Sequence, residues 1–132
     1  MELHHHRVLV VEDDADCRDA VTNLLESEGY AVTGAEDGQV ALDRLREGLD
    51  PCVILLDLMM PVKDGWQFRA EQRVDPALAD IPTIIVSAQS GAIETARALS
   101  LTALEKPPDP DALMKLLGEY CGGGVPDHAP PV

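Results

Sequence analysis

The stretch from Val53 to Pro61 constrains the fold more than any other part of the chain, and its sequence is Val-Ile-Leu-Leu-Asp-Leu-Met-Met-Pro. A dense apolar run that contains β-branched residues and stops at a proline predicts a strand buried on both faces of a sheet. Asp57 ends this strand. A carboxylate at the carboxyl end of a buried strand lies where α/β sheets bind ligands, although aspartate is also a common turn former. Position alone leaves both interpretations of Asp57 open.

Length and charge limit the class of protein. The 132 residues are enough for one domain with a core and few for two. The chain has no apolar run of about 18 residues and no signal-peptide pattern at its N-terminus, so we expect a cytoplasmic protein without a membrane span. Lys and Arg number 10 and Asp and Glu 24, for a net charge of −14. This acidity repels phosphate backbones, so we expect no direct binding of nucleic acid.

The cysteines and the two chain ends carry weaker signals. Cys17, Cys52 and Cys121 are far apart and form no C-x-x-C pair, which predicts reduced thiols and no zinc site. The run from His4 to His6 could be the edge of a metal-binding tract or part of an expression tag, but three histidines before a strand are more often a solvated chain end. We expect residues 1–6 and the Gly- and Pro-rich residues 121–132 to be disordered, with the domain at 7–120.

Apolar strands alternate with amphipathic helices five times along the chain. Strands are predicted at 7–11, 30–34, 53–57, 81–86 and 101–105, and helices at about 15–28, 38–48, 65–75, 90–99 and 109–120. The first helix carries a stripe of Cys17, Ala20, Val21, Leu24 and Leu25, and the third has Trp66, Ala70 and Val74 on one face. Each crossover is long enough for a right-handed connection between parallel strands, which predicts a doubly wound α/β domain.

Polar residues follow the ends of four predicted strands, and the carboxyl ends of parallel strands lie along one edge of a sheet. These residues are Glu12, Asp13, Asp14, Asp57, Ser87 and Lys106. Each has an ordinary explanation, since acids favour helix N-termini, serine forms turns and lysine is usually solvated. Together they suit phosphoryl transfer onto Asp57. Carboxylates in one crevice oppose each other's ionisation unless a cation such as Mg²⁺ is bound, while Lys106 and Ser87 could contact phosphoryl oxygens.

Four motifs extend this interpretation. The sequence Val8-Leu-Val-Val-Glu-Asp-Asp, the stretch Asp57-Leu-Met-Met-Pro61 with Asp64-Gly65, the pair Ser87-Ala88 and the pair Lys106-Pro107 occur in this order. Over roughly residues 6 to 120 the chain resembles the receiver domain of two-component response regulators, the family of the chemotaxis regulator CheY. The resemblance implies a five-stranded parallel sheet of order 2-1-3-4-5, the flavodoxin-like (βα)5 fold.

The resemblance also implies a role for each site residue. Asp57 corresponds to the phospho-accepting aspartate, Glu12 and Asp13 to the acid pair that holds Mg²⁺, and the Met59 backbone carbonyl to a further metal ligand. Ser87 corresponds to the hydroxyl that moves to the phosphoryl group, and Lys106 to the lysine that pairs with it. The Lys106-Pro107 bond is expected to be cis. Such a domain catalyses only its own phosphorylation and dephosphorylation.

Two positions depart from the family pattern. Ala103 stands where the family usually has Tyr or Phe, and Pro108 where Phe is frequent. Both leave the phosphorylation residues intact, but Ala103 removes the aromatic half of the usual conformational switch.

We therefore expect a stand-alone receiver that takes a phosphoryl group from a histidine kinase or a histidine phosphotransfer protein. Its output would be a contact with a downstream protein through helix four, strand five and helix five, about residues 90–120. A phosphate shuttle or sink without an output state, a phosphorylation-independent adaptor and a small hydrolase are the alternatives. The adaptor is disfavoured by the complete set of site residues, and the hydrolase by loops too short to form a substrate pocket.

Overall fold

A computed structural model describes residues 6–60 and 62–121, and within these ranges it has five strands and five helices. The strands are β1 (Arg7–Val11), β2 (Ala31–Ala35), β3 (Val53–Asp57), β4 (Thr83–Ser87) and β5 (Thr102–Glu105). The helices are α1 (Ala15–Ser27), α2 (Gly38–Arg46), α3 (Gly65–Val74), α4 (Ser90–Ala98) and α5 (Pro110–Tyr120).

The strands form one parallel sheet in the order β2-β1-β3-β4-β5, which confirms the predicted fold. In register, Val11 lies beside Leu56, and Asp57 beside Val86. The ends of β1, β3 and β4 therefore lie side by side. The predicted strands at 30–34 and 81–86 are displaced by one or two residues from β2 and β4, a normal error because strand ends carry little periodic signal.

The β3 strand is buried at all five positions, as its apolar sequence predicts, because helices cover both faces of the sheet. One core layer contains the apolar side chains of α2, α3 and α4, including Leu42, Phe68 and Ile93. The other contains residues of α1 and α5, including Leu25 and Leu117. Asp57 thus ends a strand that is fixed by packing on both sides.

The predicted inward faces of two helices need correction. In α1 only Leu25 is buried, while Cys17 and Ala20 of the predicted stripe are exposed. The N-terminal half of α1 therefore does not seal the core.

Of the predicted face of α3 only Trp66 packs against the core, because Ala70 is exposed and Val74 is 80% exposed. Phe68 and Gln72, four residues apart, are fully buried instead. The Gln72 amide donates to the backbone carbonyls of Leu78 at 3.1 Å and Ile81 at 3.0 Å, which allows a polar side chain to replace an apolar one.

The prediction of three reduced cysteines is wrong for Cys52 and Cys121, which form a disulfide. Cys52 immediately precedes β3, and Cys121 immediately follows α5, which returns antiparallel to the strands. This arrangement brings their Cα atoms to 5.3 Å, within the usual range for a disulfide, although 69 positions separate them in sequence. Cys17 is a free, exposed thiol.

The predicted disordered segments lie outside the described residues, except for His6 and Cys121. The His6 ring lies 6.0 Å from that of Tyr30, measured between centroids. The histidines His4 and His5 are part of the predicted N-terminal segment and so lie outside the described residues, as does Pro61. Among the described residues, no helix has the length and apolar character needed to cross a membrane.

Candidate functional site

The loop after β1 places two acids at the carboxyl edge of the sheet and uses a third to start a helix. The Glu12 amide donates to the Ala35 carbonyl at 3.0 Å, so the pairing with β2 extends to this residue. The Asp14 carboxylate caps α1 by accepting from the amides of Asp16 and Cys17. Its own amide donates to Glu12 Oε2 at 3.0 Å, which orients that carboxylate.

Asp57 lies at the end of β3 and is 6% exposed. Its Oδ1 lies 3.4 Å from the Met59 amide nitrogen. The loop then folds back closely, because the Gly65 amide donates to the Leu58 carbonyl at 3.0 Å. A Cβ atom at Gly65 would lie 2.5 Å from the Asp57 carbonyl oxygen and 2.7 Å from Leu58 Cα. Only glycine fits at the first position of α3, directly against the backbone of Asp57.

Lys106 brings a positive charge to this carboxylate. Its amide donates to the Ser87 carbonyl at 2.9 Å, which fixes the loop after β5 to the end of β4. Its Nζ lies 3.4 Å from Asp57 Oδ2 and also forms an ion pair with Glu12. The Lys106-Pro107 peptide bond is cis, as the resemblance implies.

The structure brings Glu12, Asp13 and Asp57 together, with one carboxylate oxygen from each within 4.8 Å of the others. Three carboxylates and Lys106 carry a formal charge of −3 + 1 = −2 when all are ionised. A set of hard oxygen donors with two uncompensated negative charges fits Mg²⁺. The predicted metal-binding acids are thus in a suitable arrangement, while Asp14 is occupied by its capping role.

Burial and mutual charge perturb two groups of this site. Burial raises the pKa of Glu12, and the nearby Asp57 charge adds to this effect, while Lys106 and the Asp14 amide oppose it. Burial works to lower the pKa of Lys106, but its hydrogen bond to Glu12 and the charges of Asp57 and Glu12 outweigh burial and raise it. Lys106 is therefore held in its charged form between two carboxylates.

Ser87 is completely buried at the end of β4, one residue beyond the partner of Asp57 in the sheet. Its Oγ accepts a hydrogen bond of 3.1 Å from the Gln89 amide. The structure thus places Ser87 at the predicted edge, and its hydroxyl is engaged with the start of the segment leading into α4. Any movement of this hydroxyl would release the Gln89 amide.

Arg18 is a site residue that the sequence reasoning missed. Its guanidinium Nη1 donates to the Glu12 backbone carbonyl at 2.6 Å, and its side chain covers Gly34, where an added Cβ would lie 3.1 Å from Arg18 Cδ. Arg18 therefore ties α1 to the loop that carries the acid pair. A lone arginine in a helix gives no signal of such a contact, because the loop curvature that brings the carbonyl within reach is not visible in the sequence.

A cavity of about 400 Å³ opens beside the acidic site, between α1 and the start of α5. Its lining is mostly apolar and reaches the site at its polar end: Val10, Val11, Glu12, Cys17, Ala20, Val21, Leu55, Asp57, Val86, Ala88, Lys106, Pro107, Pro108 and Leu113. The half of α1 predicted to be core lines this cavity instead. Small side chains at Cys17 and Ala20 leave the space between the helices unfilled.

Comparisons with known proteins agree with this geometry. The family model of the response regulator receiver domain matches residues 8–118. Response regulator MprA of Mycolicibacterium vanbaalenii is 34% identical over 111 residues, which are 84% of this chain and 47% of that protein. The chain thus spans about half the length of this curated relative.

Two solved structures are similar in fold. Chemotaxis protein CheY4 of Vibrio cholerae has a TM-score of 0.75 at 29% identity, covering 86% of this chain and 97% of that one. The receiver domain of sensor histidine kinase PA1611 of Pseudomonas aeruginosa, with a magnesium ion coordinated in its active site cleft, has a TM-score of 0.77 at 30% identity. That comparison covers 89% of this chain and 98% of the other.

Proposed function

The chain belongs to the response regulator receiver domain family, and on that premise we propose that it is a Mg²⁺-dependent switch phosphorylated on Asp57. Domains of this family act in signalling and are not conventional enzymes. The observation that carries the proposal is the setting of Asp57, a buried carboxylate 3.4 Å from Lys106 Nζ and clustered with Glu12 and Asp13.

In the proposed reaction an Asp57 carboxylate oxygen attacks the phosphorus atom of the donor. A new P–O bond forms while the bond from phosphorus to the leaving atom of the donor breaks. Lys106, already adjacent to Asp57, neutralises charge on a phosphoryl oxygen. Ser87 could donate its hydroxyl hydrogen to the same group after leaving the Gln89 amide.

Mg²⁺ would be held by Glu12, Asp13, Asp57 and the Met59 backbone carbonyl, and when bound it supplies charge neutralisation at the phosphoryl group. The clustered carboxylates support the first three ligands. Met59, which would supply the backbone ligand, is 54% exposed and thus open to solvent.

The proposed phosphodonor is a histidine kinase or a histidine phosphotransfer protein. A similar fold occurs in the receiver domain of sensor histidine kinase PA1611, which supports a partner of this class. We propose that the chain acts as a receiver in the cytoplasm, with a protein contact at residues 90–120 as its output. No direct contact with nucleic acid is proposed, because the net charge is −14.

A first test uses acetyl phosphate with Mg²⁺ as donor and intact-protein mass as readout. The wild-type chain should gain one phosphoryl group, and Asp57→Asn should gain none. Asp64→Asn is a matched control, because Asp64 lies in the same loop and caps α3, and asparagine caps equally well. Phosphorylation of Asp57→Asn at the wild-type rate would refute the assignment.

A second candidate function, a phosphate shuttle or sink without an output state, is favoured by Ala103. This residue is buried in β5, and its carbonyl accepts a hydrogen bond of 2.9 Å from Arg97 of α4. A methyl group in this place has no rotamer with which to report phosphorylation. The two functions differ in partner affinity, since a switch must bind its target differently in its two states.

A further inference from the structure

Cys52 and Cys121 join two elements at the amino edge of the sheet, the edge opposite the acidic site. Cys52 precedes β3 at its amino end, and its backbone amide donates to the Arg7 carbonyl at 2.8 Å, so it belongs to the rigid sheet. Cys121 follows α5, and its amide donates to the Leu117 carbonyl at 2.8 Å, which makes it an extension of that helix. The disulfide therefore ties the end of α5 to the central strand.

Apart from the disulfide, packing and one side-chain hydrogen bond hold the last turn of α5. Leu113 and Leu117 are buried against the sheet, but Leu116 and Tyr120 are only partly buried. The Tyr120 hydroxyl forms one hydrogen bond of 2.9 Å with Thr102 Oγ1 of β5. Without the disulfide, the helix end would be held by this part-buried hydrogen bond, by Leu117, and by the partly buried Leu116 and Tyr120 side chains that pack against the core.

The two cysteines differ in their exposure to solvent. Cys121 is 2% exposed, whereas Cys52 is half-buried and lies in the loop before β3. An external thiol can therefore approach Cys52 more easily than Cys121. The pair combines what a reversible cross-link requires, namely two cysteines already at bonding distance and one that a redox partner can reach.

We propose that Cys52 and Cys121 form a redox-responsive clamp that fixes α5 to the sheet when oxidised and releases its C-terminal turn when reduced. Reduction begins with attack of an external thiolate on Cys52, which breaks the protein S–S bond and leaves the Cys121 thiolate. A second external thiolate then displaces Cys52. In balance, the protein disulfide and two small thiols give two protein thiols and one small disulfide, such as oxidised glutathione.

The clamp limits the freedom of α5 while the disulfide is formed. The cross-link closes a loop of 69 residues, and a loop of this length loses much conformational entropy when its ends are joined. Reduction restores that freedom to the open chain. The result is a helix whose attachment depends on the thiol–disulfide balance of its surroundings, independently of Asp57.

The test compares the full-length chain after equilibration with oxidised or reduced glutathione. Alkylation under denaturing conditions should then leave Cys52 and Cys121 unlabelled in the oxidised protein and label all 3 cysteines in the reduced protein. The oxidised form should melt on the order of 10 °C higher. Amide hydrogen exchange in the last turn of α5 should accelerate roughly tenfold or more on reduction, and more than exchange in α2.

Cys17→Ser is the matched control, since it removes the free thiol and should keep the full redox response. Cys52→Ser should melt and exchange alike under both conditions and resemble the reduced wild type. If Cys52→Ser does not fold, the wild-type comparison alone decides. The proposal is overturned if oxidised glutathione leaves 3 reactive thiols, or if both redox forms show the same melting temperature and the same α5 exchange.

Discussion

Substitution of Gly65 by alanine tests whether the backbone around Asp57 must be as close as the structure shows. The added Cβ would lie 2.5 Å from the Asp57 carbonyl oxygen and 2.7 Å from Leu58 Cα, whereas ordinary contacts begin at 3.4 Å. The atoms must separate by 3.4 − 2.5 = 0.9 Å and 3.4 − 2.7 = 0.7 Å. Both contacts are with backbone, so no side-chain rotation can relieve them.

This displacement has a cost in both stability and chemistry. Overpacking of a buried site typically destabilises a protein by about 1–3 kcal/mol, and we expect Gly65→Ala to lie in this range. The start of α3 also has to move relative to the end of β3, which shifts Asp57 away from Lys106. A misplacement near 1 Å can slow a reaction by roughly a hundredfold, so phosphorylation should slow by about 10- to 100-fold.

The assay pairs urea unfolding with the rate of phosphorylation by acetyl phosphate and Mg²⁺. Gly91→Ala is the matched control, because an added Cβ there meets nothing within 4 Å. Gly91 lies in α4, so alanine should leave the rate unchanged and raise stability by up to about 1 kcal/mol. Wild-type stability and rate in Gly65→Ala would show that the close approach at Asp57 is not required.

Three further predictions concern other parts of the domain. Gln72→Leu should lower the free energy of unfolding in urea by about 2–4 kcal/mol, because it leaves the Leu78 and Ile81 carbonyls without their amide donor; wild-type stability would contradict this. The pKa of Lys106 is raised in the folded state, so the stabilisation from its charged form is fully present below the ordinary lysine pKa of 10.5 and is lost as the pH rises through the folded-state pKa. The difference in melting temperature between wild type and Lys106→Met should therefore narrow at alkaline pH. A difference that stays constant with pH would argue against the ion pairs. Mg²⁺ at a hundredfold excess over its Kd should stabilise the wild type by about 2.7 kcal/mol, measured by thermal melting, and should stabilise Asp13→Asn far less; equal stabilisation would exclude Asp13 as a ligand.

Much of the site could be predicted because its residues follow strands of strong apolar character. A buried parallel sheet places all carboxyl strand ends at one edge, so the sequence positions of Asp57 and Lys106 were enough to predict their proximity. The capping role of Asp14 could also be anticipated, since acids favour helix N-termini. The order of the strands came from the family resemblance and was confirmed by the sheet.

The remaining features depend on contacts that a local pattern cannot show. Gln72 is polar, and hydropathy assigns it to the surface, although two backbone carbonyls make its burial favourable. The disulfide joins Cys52 and Cys121 across 69 positions and depends on the path of α5. The exposed half of α1 was predicted as core because periodicity indicates a face but not what covers it.

The most direct test of the central claim, that Asp57 is the acceptor of a phosphoryl group, is binding of beryllofluoride in the presence of Mg²⁺. Amide chemical shifts recorded on the full chain should change around Asp57, Ser87 and Lys106 in the wild type and not in Asp57→Asn. Both variants should show no change with beryllofluoride when Mg²⁺ is removed. Identical shift changes in wild type and Asp57→Asn would contradict the account.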